Sequence, residues 1–254
     1  MKSVFKTDTG LVRQYNEDSG GVFENKSGDL LAVVADGMGG HQAGDVASQM
    51  AVNLFRQYWE PLHKSLTPQE AASWLSNSIL RINRGIHEAA QKDAALHGMG
   101  TTIIAAICTS GFVAVSHAGD SRAYFVGEDT VQLKSEDHSL VNELKKSGQL
   151  TEDEAENHPR KNVLTRALGT ENFIKTDEFV LDWSEGEGIL LCSDGLSNKL
   201  SSEDIKAQLK NEISLEKCAQ SLIHIANERG GEDNISVAIV LHTFSDKELS
   251  KWQT

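Results

Sequence analysis

Four aspartates stand at the ends of apolar runs. LLAVVA at 30–35 is followed at once by Asp36, FVAVSHAGD brings out Asp120, ILLCSD brings out Asp194, and Asp233, with Asn234 after it, leads into ISVAIV. Two further carboxylates, Glu17 and Asp18, are adjacent in RQYNED. Clustered like charges repel by of order 1 kcal/mol or more per close pair at intermediate dielectric, so the set is a poor stability device. A hard divalent cation would give it a purpose. Carboxylates, carbonyls and water suit Mg²⁺ or Mn²⁺, whereas thiolates and imidazoles suit zinc and copper. The DGMGG stretch that begins at Asp36 fits the same chemistry. A bare backbone at Gly37 lets its carbonyl face an ion closely, and Gly39 and Gly40 permit a sharp turn. A single Asp-Gly after a strand is ordinarily only a turn, so the weight lies in the ensemble. Other phosphate and hydrolase signatures are absent: no lysine follows as in GxxxxGK, GxGxxG fails at Gln42, and neither HExxH nor GxSxG occurs.

The elements that must position these groups are short. LLAVVA (30–35), TIIAAI (102–107), FVAVSHA (112–118), GILLCS (188–193) and ISVAIVL (235–241) are of strand length and end in turn residues. TSG at 109–111 and GED at 127–129 read as hairpin connections, which implies mostly antiparallel pairing. Helical spacing marks three segments. Val46, Met50, Leu54 and Tyr58 recur within 43–59. Ala71, Leu75, Ile79, Ile82, Ile86 and Ala90 form a second stripe behind Pro68, and Leu215, Cys218, Leu222 and Ile225 form a third that ends near Gly230. Antiparallel strands with long helices outside βαβ alternation indicate an α+β architecture. Residues 135–175 are polar and read as short helical pieces inserted over the sheet edge.

Composition narrows the function classes. The net charge of −13 argues against nucleic-acid binding, which needs a basic footprint. It does not oppose phosphate chemistry, because bound cations reverse the local field. Cys108, Cys192 and Cys218 lie far apart in apolar runs and read as buried thiols, not as a disulfide framework or zinc site. The sequence MKSVFKTDTG lacks a secretory apolar stretch and no run approaches ~20 apolar residues, so a cytoplasmic location without membrane insertion is expected.

RQYNED, DGMGGHQAG, AGDSR, CSDGL and GGEDN, in this order, resemble the metal-dependent type-2C protein phosphatases, the PPM family. The resemblance runs from about residue 4 to 241, and the DGMGGHxAG form is similar to the bacterial stand-alone branch. It implies a central antiparallel β-sandwich flanked by α-helices on both sides, in four αββα layers, with the metals at one end. It also implies a single catalytic domain over 1–245, a flap at about 135–175 and a short tail at 246–254. Carried over by similarity, Asp36 bridges two Mn²⁺ or Mg²⁺ ions, the Gly37 carbonyl holds the first, and Asp194 and Asp233 hold the second. Glu17 and Asp18 orient the surrounding waters, and Asp120 with Asp194 holds a third, weaker metal. Arg13 grips the substrate phosphate and Asn234 supports the GGEDN turn. The implied activity is hydrolysis of phosphoserine and phosphothreonine on proteins by a metal-activated water, with no phosphoenzyme required.

Two departures remain open within this resemblance. Eukaryotic members place a histidine directly after the DG, where this chain has Met38. His41, three residues later, either donates the proton to the leaving oxygen or only orients the turn or a water. In the flap, Lys145, Lys146, Arg160 and Arg166 either select phosphoprotein substrates or form a solvated face. By analogy with the bacterial branch, the expected partners are membrane serine/threonine kinases and their substrates, and the expected state is a monomer. The rival classes are a phosphoprotein-binding pseudophosphatase without turnover and a structural metal-binding protein. Arg13 beside the acidic set speaks against the latter, because a guanidinium fork fits a phosphate.

Overall fold

A computed structural model describes residues 1–39, 43–211 and 214–243. The chain opens with β1 (Lys2–Asp8), β2 (Asp18–Glu24) and β3 (Leu30–Met38), followed by the helices α1 (Ala43–Trp59) and α2 (Pro68–Lys92). Next come β4 (Gly100–Thr101), β5 (Ile103–Cys108), β6 (Phe112–Ala118), β7 (Arg122–Val126) and β8 (Val131–Leu133). Two short helices, α3 (Leu140–Lys146) and α4 (Glu152–Glu156), precede β9 (Asp177–Asp182) and β10 (Gly188–Cys192). The chain continues through α5 (Asp194–Ser197), α6 (Ser202–Asn211), α7 (Leu215–Glu228) and β11 (Ile235–Leu241).

The strands build two antiparallel sheets. One has the order β1-β11-β10-β7-β8; the other runs β2-β3-β5-β6-β9, with β4 attached to β3. Alternation along β3 shows how the layers stack. Leu30, Ala32 and Val34 face the other sheet, where Ile189, Leu191, Ala238 and Val240 meet them. Leu31, Val33 and Ala35 point the opposite way, into a core shared with α1 and α2. On the far side, α6 and α7 cover β1, β10 and β11 through Ile205, Leu209, Cys218 and Leu222. Burial on both faces explains why strands of antiparallel sheets read as continuous apolar runs. This is the expected α+β, four-layer αββα sandwich.

The hairpins at 109–111 and 127–129 form as expected, joining β5 to β6 and β7 to β8. In α2 the stripe Ala71, Leu75, Ile79, Ile82, Ile86 and Ala90 is buried throughout. Its start is fixed by Thr67, which caps Glu70 reciprocally, with Pro68 in the first turn. In α1 the buried centre differs from the expected one. Ala47, Ala51, Phe55 and Trp59 are fully buried, while Val46, Met50, Leu54 and Tyr58 are only partly covered. The alanines let the helix axis approach β2 and β3 closely, so the larger side chains flank the contact. Cys108, Cys192 and Cys218 are buried, and no disulfide joins them. The 246–254 tail lies outside the described residues, and so does His41.

Candidate active site

One end of the sandwich gathers the acidic residues. Asp18 opens β2 and stands directly across from Asp36 on β3. Asp36 is thus inside a strand, which continues to Met38, and not at its exit. Asp120 lies in the tight β6–β7 connection, Asp194 begins α5 one residue beyond β10, and Asp233 lies in the loop two residues before β11. Neighbouring strands from both sheets therefore deliver these groups to one place.

Backbone packing fixes each position. The Asp36 amide donates to Thr102 Oγ1 at 2.9 Å, and its carbonyl accepts from the Thr102 amide at 2.8 Å and Thr101 Oγ1 at 3.0 Å. Gly37 N–H donates to the Glu17 carbonyl at 3.1 Å, and Ser48 Oγ of α1 donates to the same oxygen at 2.6 Å. A Cβ at Gly37 would collide with the backbone carbonyl oxygens of Gly44 and Glu17. The glycine thus lets the first turn of α1 close onto the strand. Asn234 ties the N-terminal loop to the Asp233 turn: its Nδ2 donates to the Thr9 and Tyr15 carbonyls at 2.8 and 2.9 Å, and its Oδ1 accepts from the Glu17 amide at 2.8 Å.

The electrostatics are those of a crowded anionic pocket. Withdrawal from water, then the charges of Asp194 and Asp233, push Asp18 up to about 7, against hydrogen bonds from Ser236 and Ser193. Burial followed by Asp18, Asp194, Asp120 and Asp233 holds Asp36 well above the usual carboxylate range. Burial, with Asp194 and Asp137, raises Asp120 to about 7. Asp194 is raised by burial and then by the charge of Asp233, with Asp36 and Asn198 pulling the other way. Glu17 is raised chiefly by burial, with Arg13 pulling the other way. Two buried oxygens, Asp18 Oδ1 and Asp194 Oδ1, have no hydrogen-bond partner.

Three other carboxylate oxygens of the cluster accept hydrogen bonds from neighbouring side chains. Ser193 Oγ donates to Asp18 Oδ2 at 2.7 Å, Asn198 Nδ2 to Asp194 Oδ2 at 3.1 Å, and Arg13 Nη2 to Asp233 Oδ2 at 2.8 Å. Among the described residues, no three His, Cys, Asp or Glu side chains are drawn into a ready-made cation shell. The residues still fit a hard cation. They offer only oxygen donors, two of them buried without a partner, in a pocket whose mutual repulsion a positive charge would relieve.

Glu17, Asp18, Asp36, Gly37, Asp120, Asp194, Asp233, Asn234 and Arg13 all come to this end of the fold. Sequence reasoning missed the hydroxyl supports. Ser193 accepts from the Ser236 amide at 2.9 Å while donating to Asp18, and Thr102 accepts the Asp36 amide while sharing a 2.7 Å hydrogen bond with Ser121. Their only signal was adjacency: Ser193 immediately precedes Asp194. Also missed was the root of the 135–175 segment. Arg122 forks onto Asp137 at 2.8 and 3.0 Å, and the Gly119 amide donates to His138 Nδ1 at 3.1 Å, one residue from Asp120. Within that segment Lys145 pairs with Glu152, Lys146 with Glu136 and Arg166 with Asp177. Three of the four cations considered for substrate selection are therefore already engaged.

Residues 11–237 match the protein phosphatase 2C family. The chain is 44% identical over 247 residues to the serine/threonine phosphatase stp of Listeria welshimeri, across 97% of this chain and 98% of that one. It superposes on the S. agalactiae serine/threonine phosphatase with a TM-score of 0.89 at 43% identity, over 94% of this chain and 98% of that one. A structure of the catalytic domain of serine threonine protein phosphatase PstP, in complex with two manganese ions, superposes with a TM-score of 0.81 at 30% identity, over 94% of this chain and 96% of that one. The ordered acidic motifs, the four-layer sandwich that gathers them and a match along nearly the whole length lead to one assignment: the chain belongs to the protein phosphatase 2C family.

Proposed function

We propose that this protein is a divalent-cation-dependent serine/threonine protein phosphatase whose site is the acidic end of the sandwich. The observation that carries the reading is the buried carboxylate cluster, with partnerless oxygens on Asp18 and Asp194, set beside the guanidinium of Arg13. Asp36, Asp194 and Asp233, with the Gly37 carbonyl, would hold two Mn²⁺ or Mg²⁺ ions, and Asp120 with Asp194 a third. The chemistry such a pair would supply, when bound, is activation of a water for in-line attack on phosphorus and compensation of the charge that develops.

The chain's own groups do the rest. Arg13 is half exposed and already pairs with a carboxylate, so its fork can turn to two phosphate oxygens of an incoming phosphoserine or phosphothreonine. Asp18 Oδ1, free of partners, accepts a hydrogen bond from a water at the site while Ser193 holds the other oxygen. Glu17 orients water from the side of α1. Asn234 keeps the Arg13 loop and the Asp233 turn in one frame. His41 serves as proton donor or as an orienting group for the turn. Residues 1–245 act in this reading as one catalytic domain, and 135–175 as a flap whose root adjoins Asp120.

The reading extends, on family analogy, to a cytoplasmic monomer that removes phosphate placed by membrane serine/threonine kinases on themselves and their substrates. Among the described residues no helix is long and apolar enough to cross a membrane. Nucleic acid is not among the proposed partners, given the net charge of −13. The test is phosphate release from a phosphothreonine peptide by chelator-stripped protein. Turnover is expected on adding Mn²⁺ or Mg²⁺ and none in excess EDTA. Undiminished turnover in EDTA would overturn the reading.

A further inference from the structure

The loop that carries Arg13 has a property that phosphate binding alone does not require. Leu11, Val12 and Tyr15, all within two residues of Arg13, are 69%, 64% and 61% exposed. Single exposed apolar side chains are ordinary, but here three large ones fall within five residues of one loop, on both sides of Arg13. The loop is also held firmly. The amides of Leu11 and Val12 both donate to the Gly231 carbonyl at 2.7 and 3.2 Å. Gly10 N–H donates to Asp8 Oδ1 at 2.9 Å, and Asn16 Nδ2 donates to Thr7 Oγ1 at 2.8 Å. Asn234 grips the loop through the carbonyls of both Thr9 and Tyr15. These bonds fix the backbone while leaving the apolar side chains in water, so a partner that covers them finds them pre-organised.

We propose that Leu11, Val12 and Tyr15 form a docking rim for the polypeptide on either side of the phosphorylated residue, selecting substrates with bulky apolar side chains next to the phosphoserine or phosphothreonine. This rests on the phosphatase reading and on Arg13 as the phosphate contact. With the phosphate on Arg13, chain positions one or two residues away lie within about 7 Å, a span that the flanking Val12 and Tyr15 match along the loop. Charge points the same way. The protein carries −13, so acidic flanks are repelled, and apolar flanks gain burial against the rim without that cost.

The test uses two phosphothreonine peptides, identical except for leucine or serine on both sides of the phosphothreonine, assayed with Mn²⁺. For the unaltered protein, kcat/KM is expected to be about tenfold higher for the leucine-flanked peptide, with the difference in KM, because the contact is made equally in ground and transition states. In Leu11→Ser/Val12→Ser, and separately in Tyr15→Ser, the ratio should shrink to about threefold or less. Taking the ratio within each preparation cancels any loss of folded protein. Equal kcat/KM for the two peptides, or a ratio that the variants leave unchanged, overturns the docking rim and leaves the phosphatase reading standing. Hydrolysis of neither peptide by the unaltered protein overturns that reading and the rim with it.

Discussion

Asp36→Asn is expected to lower phosphate release by at least about a thousandfold and, in the absence of metal, to raise the melting temperature. The two effects have one cause. Asp36 is surrounded by Asp18, Asp194, Asp120 and Asp233, and all of them disfavour its ionised form. An asparagine keeps the shape and removes the charge that burial and the four neighbouring aspartates oppose. For a chain of this size a gain of one or two kcal/mol corresponds to about 2–4 °C. Loss of activity with gain of stability separates a functional carboxylate from a structural one, whose removal would lower both.

The same cluster dictates how the metal-free protein responds to pH. Burial and neighbouring carboxylates push Asp18 and Asp120 up to about 7 in the folded chain, well above the ordinary 3.8. Between those values the folded state holds protons that the unfolded state has released. Stability must then fall as pH rises from about 4 through about 7, and recover on acidification within that window. Saturating Mn²⁺ should flatten this dependence, because a cation replaces the protons and stabilises the folded state by mass action.

Gly37→Ala should cost about 3 kcal/mol or more and abolish activity with it. The added methyl would meet two backbone carbonyls, of Gly44 and Glu17, and neither can swing aside as a side chain could. Either β3 moves away from α1, carrying Asp36 with it, or Glu17 is displaced. A fall of about 1 M or more in the urea midpoint would register this. Gly111→Ala is the matched control: nothing lies within 4 Å of its added methyl, and its effect should stay within about 0.5 kcal/mol. Equal midpoints for the two variants would refute the close-approach explanation for Gly37.

How much of this was legible in the residues depended on burial. β3, β5, β6, β10 and β11 are covered on both faces, so their apolar runs announce them. β1, β2 and β9 carry charged or glycine positions and leave no such run. In DSGGVFE the glycine at 20 looks like a loop residue, yet it sits in a strand because the ring of Phe5 occupies the place of its Cβ. In α1 periodicity located the helix but favoured its large residues, whereas close packing selected Ala47 and Ala51 for the centre. The site divides along the same line. Asp36, Asp194 and Asp233 were readable because a carboxylate beside a buried strand is chemically conspicuous. Ser193 and Thr102 were not, because a hydroxyl acquires its role only from the partner that folding brings within 3 Å.

Manganese binding to chelator-stripped protein, measured by calorimetric titration of the unaltered chain and of Asp36→Asn, tests the central claim most directly. The carboxylate cluster as cation site predicts at least two ions bound by the unaltered protein and loss of that binding in the variant. Identical stoichiometry and affinity in the two proteins would contradict it and place the metals, if any, elsewhere.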